Sequence, residues 1–153
     1  MDYIFEKGTF NEEELENAII ELFENQEYIH VFGGDIHRQF SDVLLYEDLK
    51  QYLITRYSDL TITEIEHIVS KLDNIPSVPL YEGNRETFNL INKGFDLVRE
   101  DPTKIAVHVD FIDFDNPKNN TFKVVNQFVL NVSPLVNSDA NHRRPDMIIF
   151  ING

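Results

Sequence analysis

The sequence predicts a mixed α/β fold, in which a helical N-terminal half packs on a mostly antiparallel or mixed sheet. Apolar residues recur at helical spacing as far as about residue 94 and alternate in the manner of strands after it. The 153 residues, 42% of them apolar and 26% charged, have the size and composition of one globular domain. We therefore expect a single domain over residues 1–153.

The first predicted helix follows a capping-box pattern formed by Asn11 and Glu14. Apolar residues then recur at spacings of three and four, which indicates an amphipathic helix packed on the rest of the chain. This stripe consists of Leu15, Ala18, Ile19, Leu22 and Phe23. Glu21 could reach a nearby functional site. The other glutamates are expected to form a solvated face, namely Glu13, Glu16 and Glu24.

Three further helices are predicted before residue 94. One covers Tyr46–Arg56, where apolar residues again fall on one side. The next begins at a second capping-box pattern, Thr61 with Glu64. The last runs from about Leu80 to Lys93 and is ended by Gly94.

Strands are predicted on both sides of these three helices. A short strand from Tyr28 to Phe32 ends at Gly33 and Gly34, which are expected to supply the positive φ of a turn. After Gly94, alternating apolar residues indicate three strands that we expect to form a meander. Their inward-facing residues are Phe95 and Leu97, then Ile105, Val107, Val109 and Phe111, then Phe122, Val124, Phe128 and Leu130. A polar loop is expected between residues 133 and 142.

Residues 143–153 carry the strongest strand signal. Pro145 prevents an early start, Asp146 stands at the mouth of the strand, and Met147–Ile151 form an apolar run that we expect to be buried. Asn152 and Gly153 are the strongest two-residue hairpin turn signal. If they are the central residues of a type I′ turn, the position facing Asp146 lies roughly six residues past Gly153. The fold is therefore expected to be incomplete at its C-terminus.

Composition and charge exclude several classes of protein. No cysteine occurs, which excludes disulfides, thiolate zinc sites and cysteine nucleophiles. The longest apolar runs are about five residues, whereas a membrane-spanning helix needs ~20, so we expect no membrane partner and a cytoplasmic protein. The net charge is −14, of which residues 1–84 carry −13. A polyanion would therefore be met by residues 85–153.

Asp146 is the candidate for chemistry. Phosphodiester hydrolysis with Mg²⁺ uses hard oxygen ligands, usually one or two carboxylates, to hold the metal and activate water. A nearby lysine would stabilise the charge that develops on the phosphate. An acidic residue and a lysine on the facing strand would complete such a site. A Pro-Asp pair ahead of an apolar strand is common, so it does not identify a nuclease by itself.

Longer blocks of sequence carry a more specific signal. They are FNEEELENAIIELFENQ, GGDIHR followed by DVLL, GNRETFNLINKGF, IDFDNPKNNTFKVVNQF and RRPDMIIFING. In these blocks the chain closely resembles the N-terminal nuclease domain of the R subunit of type I restriction enzymes, a branch of the PD-(D/E)XK nuclease superfamily. The resemblance implies a restriction-endonuclease-like core and makes Asp146 a catalytic Mg²⁺ ligand. The second half of the family motif, an acidic residue, a spacer and a lysine, is expected on the strand after the Asn-Gly turn.

The resemblance also implies the activity and partners of a parent protein. Such a parent cuts unmodified foreign double-stranded DNA with Mg²⁺, works with modification and specificity subunits, and uses ATP in downstream domains. Residues 1–153 alone are expected to fold, to bind Mg²⁺ weakly at best and to cut nothing. Arg143 and Arg144 are either contacts to DNA phosphates or solvated charges ahead of a strand.

A hypothesis of a different class is a non-catalytic acidic module that binds a partner protein. The helical half would then be its docking surface, because a net charge of −13 over residues 1–84 suits contact with another protein better than contact with DNA. The two hypotheses separate on whether a carboxylate and a lysine face Asp146, since a binding module needs neither.

Overall fold

The structure is a computed structural model that describes residues 11–76, 78–131 and 142–153. These residues form four α-helices and seven β-strands, which confirms the predicted mixed α/β class. In chain order the elements are α1 (Glu12–Glu24), β1 (Ile29–Phe32), α2 (Tyr46–Arg56), α3 (Ile62–Asp73), α4 (Leu80–Lys93), β2 (Phe95–Leu97), β3 (Val107–Val109), β4 (Phe122–Asn126), β5 (Leu130–Asn131), β6 (His142–Arg143) and β7 (Met147–Ile151).

The helix boundaries follow local capping chemistry. The predicted capping box of α3 is formed in both directions, because Glu64 N donates to Thr61 Oγ1 at 3.1 Å and Thr61 N donates to Glu64 Oε2 at 2.9 Å. At α1 the predicted box is wrong in its pairing: Asn11 Oδ1 accepts from the amide of Glu13, at 3.3 Å. Helix α4 ends at Gly94 with φ 60°, as expected for a glycine after a helix.

The central sheet has the strand order β1-β4-β7. Strand β4 lies between β1, which runs parallel to it, and β7, which runs antiparallel. Strands β2 and β3 pair with each other, and β5 pairs with β6. The predicted meander is therefore wrong, because β4 does not pair with β3. It lies between β1 and β7 in a different sheet. The segment expected as one third strand also breaks in two, since Gln127 takes φ 55° between β4 and β5.

Two hydrophobic clusters stabilise this arrangement. The larger one joins α2, α3, α4, β2 and β3, and its most buried members are Leu53, Ile68 and Val109. The smaller one lies under one face of the central sheet and consists of Leu45, Val125, Phe128 and Phe150. Helix α1 packs against β1. Aromatic contacts run from Phe23 through Tyr28 to Phe122, with ring centroids 5.0 and 5.3 Å apart.

The burial of two apolar segments differs from the prediction. In β7 Phe150 is buried, but Ile149 and Ile151 are 45% and 38% exposed, because β7 is an edge strand of the central sheet in the described residues. In α1 the buried residue is Ile20, whereas Leu15 of the predicted stripe is 51% exposed. Most of the predicted loop at 133–142 lies outside the described residues, and its last residue begins β6. No described helix is long and apolar enough to cross a membrane.

Candidate active site

Asp146 lies immediately before β7, at the end of the central sheet where β1 and β4 finish. Its carbonyl oxygen accepts a hydrogen bond of 3.3 Å from the backbone N–H of Gln127, so its main chain is tied to the end of β4. The residue is exposed and borders a cavity of about 380 Å³ between α1 and β7. The lining residues are Glu12, Leu15, Glu16, Ile19, Phe23, Asp146, Met147 and Ile149.

The charged residues of this cavity, Glu12, Glu16 and Asp146, are all acidic. A phosphate group would be repelled there unless a cation neutralised the field. Mg²⁺ is commonly held by one or two carboxylates together with waters and substrate phosphates. The described residues contain no group of three or more His, Cys, Asp or Glu side chains placed to hold a metal ion. The carboxylate of Asp146 is a hard oxygen donor of the type that Mg²⁺ takes from proteins.

Glu16 is the acidic residue of α1 that meets the sheet, and the prediction that it faces solvent is wrong. Its Oε1 accepts from Asn126 Nδ2 at 2.8 Å and from Gln127 Nε2 at 3.3 Å, and Gln127 Nε2 also lies 3.3 Å from Oε2. Glu21, which the sequence suggested could reach a functional site, is exposed and does not line the cavity. Glu16 and Glu21 are five residues apart, so their side chains lie on different faces of α1. Asn126 and Gln127, at the end of β4, bind the carboxylate of Glu16. This contact could not be predicted from the spacing of apolar residues in α1.

A second bond fixes the orientation of Asn126. Its Oδ1 lies 2.9 Å from His30 Nε2. Because Asn126 presents its amide nitrogen to the carboxylate of Glu16, its oxygen must accept, and His30 must donate from Nε2. The four side chains of His30, Asn126, Glu16 and Gln127 thus form one polar network between the sheet and α1.

Gly33 has a different function from the one predicted. Neither Gly33 nor Gly34 has positive φ; both belong to a short 3₁₀ helix, Gly33–Asp35. A Cβ on Gly33 would lie 2.6 Å from the backbone oxygen of Gln127 and 2.8 Å from that of Asn126. Gly33 therefore lets β1 approach the end of β4 closely, and Gln127 is the residue that takes positive φ.

The Asn-Gly pair after β7 has backbone angles compatible with a hairpin turn, and its asparagine is a buried anchor. Asn152 has φ 59° and Gly153 has φ 88°, which match the central residues of a type I′ turn. Yet Asn152 is 1% exposed. Its Oδ1 accepts from Thr121 N at 2.8 Å, and its Nδ2 donates to Phe111 O at 2.9 Å and to Asn120 Oδ1 at 2.8 Å. The hairpin turn stays a prediction, whereas the buried anchor was not predicted from the sequence pattern.

Arg143 and Arg144 come shortly before Asp146. Arg143 is in β6, and both residues are exposed. Within the described ranges, neither side chain makes an ion pair. Their contact with DNA stays a prediction.

The most strongly perturbed carboxyl group in the described residues lies elsewhere. Hydrogen bonds from Arg99, followed by the Thr61 amide, lower the pKa of Glu64 to about 2. Arg99 Nε donates to Glu64 Oε1 at 2.8 Å, and both side chains are almost fully buried. Glu64 also caps α3, so it joins the start of that helix to Arg99 in the irregular segment after β2. Its perturbed pKa reflects structure and does not mark an active site.

Comparison with known proteins gives the family. Residues 9–153 match the family model described as "Type I restriction enzyme R protein N terminus". A curated relative from Methanocaldococcus jannaschii, named as a type I restriction enzyme MjaIXP endonuclease subunit, is 27% identical over 146 residues. That alignment covers 91% of this chain and 14% of the relative, so the chain spans about a seventh of the relative's length. The chain therefore belongs to the family of type I restriction enzyme R protein N termini.

Proposed function

We propose that this chain is part of the nuclease of a type I restriction enzyme R subunit, and that Asp146 is its catalytic Mg²⁺ ligand. The observation that carries the proposal is the position of Asp146. Its exposed side chain stands at the mouth of β7 and borders a cavity whose charged residues are all acidic. A carboxylate in that setting would suit a divalent cation as a hard oxygen ligand.

The residues around Asp146 have separate roles in this proposal. When bound, Mg²⁺ supplies Lewis acidity towards the scissile phosphate and lowers the pKa of a bound water. Asp146 provides a hard oxygen ligand at a fixed strand mouth. The apolar side chains of Leu15, Ile19 and Met147 form the wall of the cavity beside this carboxylate. Arg143 and Arg144 neutralise phosphates on the approaching duplex, in a protein whose net charge is otherwise strongly negative.

The activity of the parent is a larger proposal, because the chain spans only 14% of its curated relative. We infer a complete subunit that cuts unmodified double-stranded DNA together with modification and specificity subunits. ATP is used by domains outside residues 1–153. Foreign DNA is selected by the partner subunits, and this chain contributes to the cutting step.

Residues 1–153 alone do not cut DNA in this proposal. The described residues offer no group of three metal-binding side chains, and no lysine lines the cavity. A strand entered through the turn at Asn152 and Gly153 would return along the open edge of β7 and bring a residue roughly six positions past Gly153 opposite Asp146. Mg²⁺-dependent nicking of a plasmid by residues 1–153, abolished by Asp146→Ala, would contradict this statement.

The test of the main proposal uses the complete R protein assembled with its modification and specificity subunits. Asp146→Asn should lower Mg²⁺-dependent cleavage of an unmodified plasmid by ~100-fold or more, because a metal ligand is lost. Glu21→Gln is the matched control, since Glu21 is an exposed carboxylate outside the cavity. Cleavage at the wild-type rate by Asp146→Asn would refute the proposal.

A second candidate function is the binding of a partner protein through the helical half. The observation that favours it is an exposed apolar stripe on α4, where Tyr81 is 71% and Phe88 is 67% exposed. These residues lie seven positions apart, on one side of the helix. If Tyr81→Ser with Phe88→Ser prevents assembly with the other subunits while Asp146→Asn leaves cleavage intact, binding is the function of this region.

A further inference from the structure

We infer that Glu16 is the positioning residue for Asp146: it clamps the end of β4 to α1 and thereby fixes the strand mouth that carries the carboxylate. The inference rests on the proposed function, since positioning matters only if Asp146 holds the metal ion. It concerns a residue that the sequence pattern assigned to solvent.

The first step is the contact between Glu16 and the end of β4. The carboxylate of Glu16 accepts hydrogen bonds from the side-chain amides of Asn126 and Gln127, at 2.8 and 3.3 Å. His30 donates to Asn126 and holds that amide in the orientation that faces Glu16. Glu16 therefore joins α1 directly to the end of β4, and Asn126 in turn joins that end to His30 of β1. The C-terminal end of α1 is joined to the sheet separately, by the ring contact of Phe23 with Tyr28.

The second step is the conformation of Gln127. Its φ of 55° is a value that residues with a side chain rarely adopt, so the surrounding contacts must hold it. Three contacts do so. The side-chain amide of Gln127 donates to the carboxylate of Glu16, and its backbone N–H donates to Asp146 O. Its backbone oxygen packs against Gly33. Loss of Glu16 removes the contact that fixes the side chain.

The third step connects Gln127 to the site. Its backbone N–H is bonded to the carbonyl oxygen of Asp146, so a change in Gln127 moves the residue that carries the carboxylate. Asp146 is otherwise exposed, which leaves few contacts to correct such a movement. Groups that orient a metal ligand typically contribute ~10–100-fold to metal affinity or activity. Glu16 is thus expected to act on Mg²⁺ affinity through the position of Asp146.

Two substitutions separate positioning from a direct effect of charge. In Glu16→Gln the remaining oxygen can still accept from both Asn126 and Gln127, because Glu16 Oε1 alone makes contacts to both. Glu16→Ala removes the acceptor and the charge together. If Glu16 acts by position, Glu16→Gln keeps most of the function that Glu16→Ala loses. Glu21→Ala is the matched control on the exposed side of the same helix.

The experiment uses the complete R protein in its assembled complex, with two readouts. The first is the Mg²⁺ concentration for half-maximal plasmid cleavage. It should rise by ~10-fold or more in Glu16→Ala, and by no more than ~3-fold in Glu16→Gln. The second is hydrogen–deuterium exchange, without metal, of the peptide covering residues 122–131. Exchange should be faster in Glu16→Ala, and unchanged in Glu16→Gln and Glu21→Ala.

Three results would overturn the inference. They are wild-type Mg²⁺ dependence in Glu16→Ala, unchanged exchange over residues 122–131 in that variant, and a Glu16→Gln protein as impaired as Glu16→Ala. If Glu16→Ala does not fold, Gln127→Asn replaces it. Asparagine tolerates positive φ but is too short to reach Glu16, so it should reproduce the rise in Mg²⁺ requirement, and a wild-type Mg²⁺ requirement would refute the inference. Cleavage by Asp146→Asn at the wild-type rate would instead refute the proposed function, whatever the exchange data show for Glu16.

Discussion

Replacement of Asn152 tests whether the end of β7 is anchored as the structure indicates. The side chain is 1% exposed and makes hydrogen bonds with Thr121 N, Phe111 O and Asn120 Oδ1. Asn152→Ala removes all three and leaves the buried backbone oxygen of Phe111 and the partly buried backbone N–H of Thr121 without these partners. The end of β7 would lose its side-chain hydrogen bonds to the loops that precede β4 and keep the backbone bond from Asn152 N to Thr121 O.

The loss of stability can be estimated from the groups that Asn152 leaves without a hydrogen-bond partner. Each buried group left without a partner costs ~1–3 kcal/mol. Asn152 also has φ 59°, and an alanine in this left-handed region costs ~1–2 kcal/mol more than a glycine. Asn152→Gly should therefore lower the free energy of unfolding by about 1–3 kcal/mol, mainly through the buried Phe111 oxygen, and Asn152→Ala by about 1–2 kcal/mol more. Losses of this size are a large part of the ~5–15 kcal/mol that stabilises a typical domain.

Urea unfolding followed by far-UV circular dichroism measures both variants. Asn92→Ala is the control, because Asn92 is exposed and bonds only to Phe88 O of its own helix in the described residues. This control should change the free energy of unfolding by less than ~0.5 kcal/mol or raise it slightly. A free energy of unfolding for Asn152→Ala within ~1 kcal/mol of wild type would refute the buried anchor.

Three further predictions concern packing, titration and DNA contact. Gly33→Ala should destabilise the protein by ~1–3 kcal/mol, because the new Cβ would lie 2.6 Å from a backbone oxygen; unchanged urea unfolding would contradict this. Arg99 lowers the pKa of Glu64 to about 2 from its usual 4.5, so the stability from Glu64 is fully present above pH 4.5 and is lost as the pH falls towards 2. Glu64→Gln should reduce the fall in the free energy of unfolding between pH 4.5 and 2. An unchanged fall would exclude the titration of Glu64 as its cause. Arg143→Ala with Arg144→Ala should weaken DNA binding for all sequences and lower the salt slope by ~2, whereas an unchanged slope would exclude phosphate contact.

The helices could be predicted from the sequence because their signals are local. The observed bounds of α2 and α4 coincide with the predicted ones, and the capping box of Thr61 and Glu64 starts α3 as expected. The capping box and Gly94 act within one turn of a helix end, and the apolar spacing that predicted α2 lies within that helix. Their chemistry does not depend on which segments meet in the fold.

The sheet order could not be predicted in this way. Strand β4 pairs in parallel with β1, as in Ile29 with Lys123, and these residues are far apart in the chain. The alternating pattern of β4 is compatible with either neighbour, and nothing local favours β1 over β3. The break at Gln127 was missed for a related reason, since its positive φ is imposed by contacts with Glu16, Gly33 and Asp146.

The candidate site was predicted in part. The sequence indicated Asp146 and the turn at Asn152, because proline, aspartate and Asn-Gly each have a specific local role. It missed Glu16, since the helical face was inferred from apolar residues alone. Glu16 does lie on the same side of α1 as Ile19 and Ile20, so a search for polar partners at the strand ends could have found it.

The central claim, that Asp146 holds the catalytic metal ion, is tested most directly by one comparison in the complete complex. Cleavage of unmodified plasmid and hydrolysis of ATP are measured together for the wild type and Asp146→Asn at saturating Mg²⁺. Cleavage should fall by ~100-fold or more while ATP hydrolysis keeps its wild-type rate, because the substitution would remove one ligand from the nuclease site alone. Retained cleavage, or a parallel loss of both activities, would contradict it.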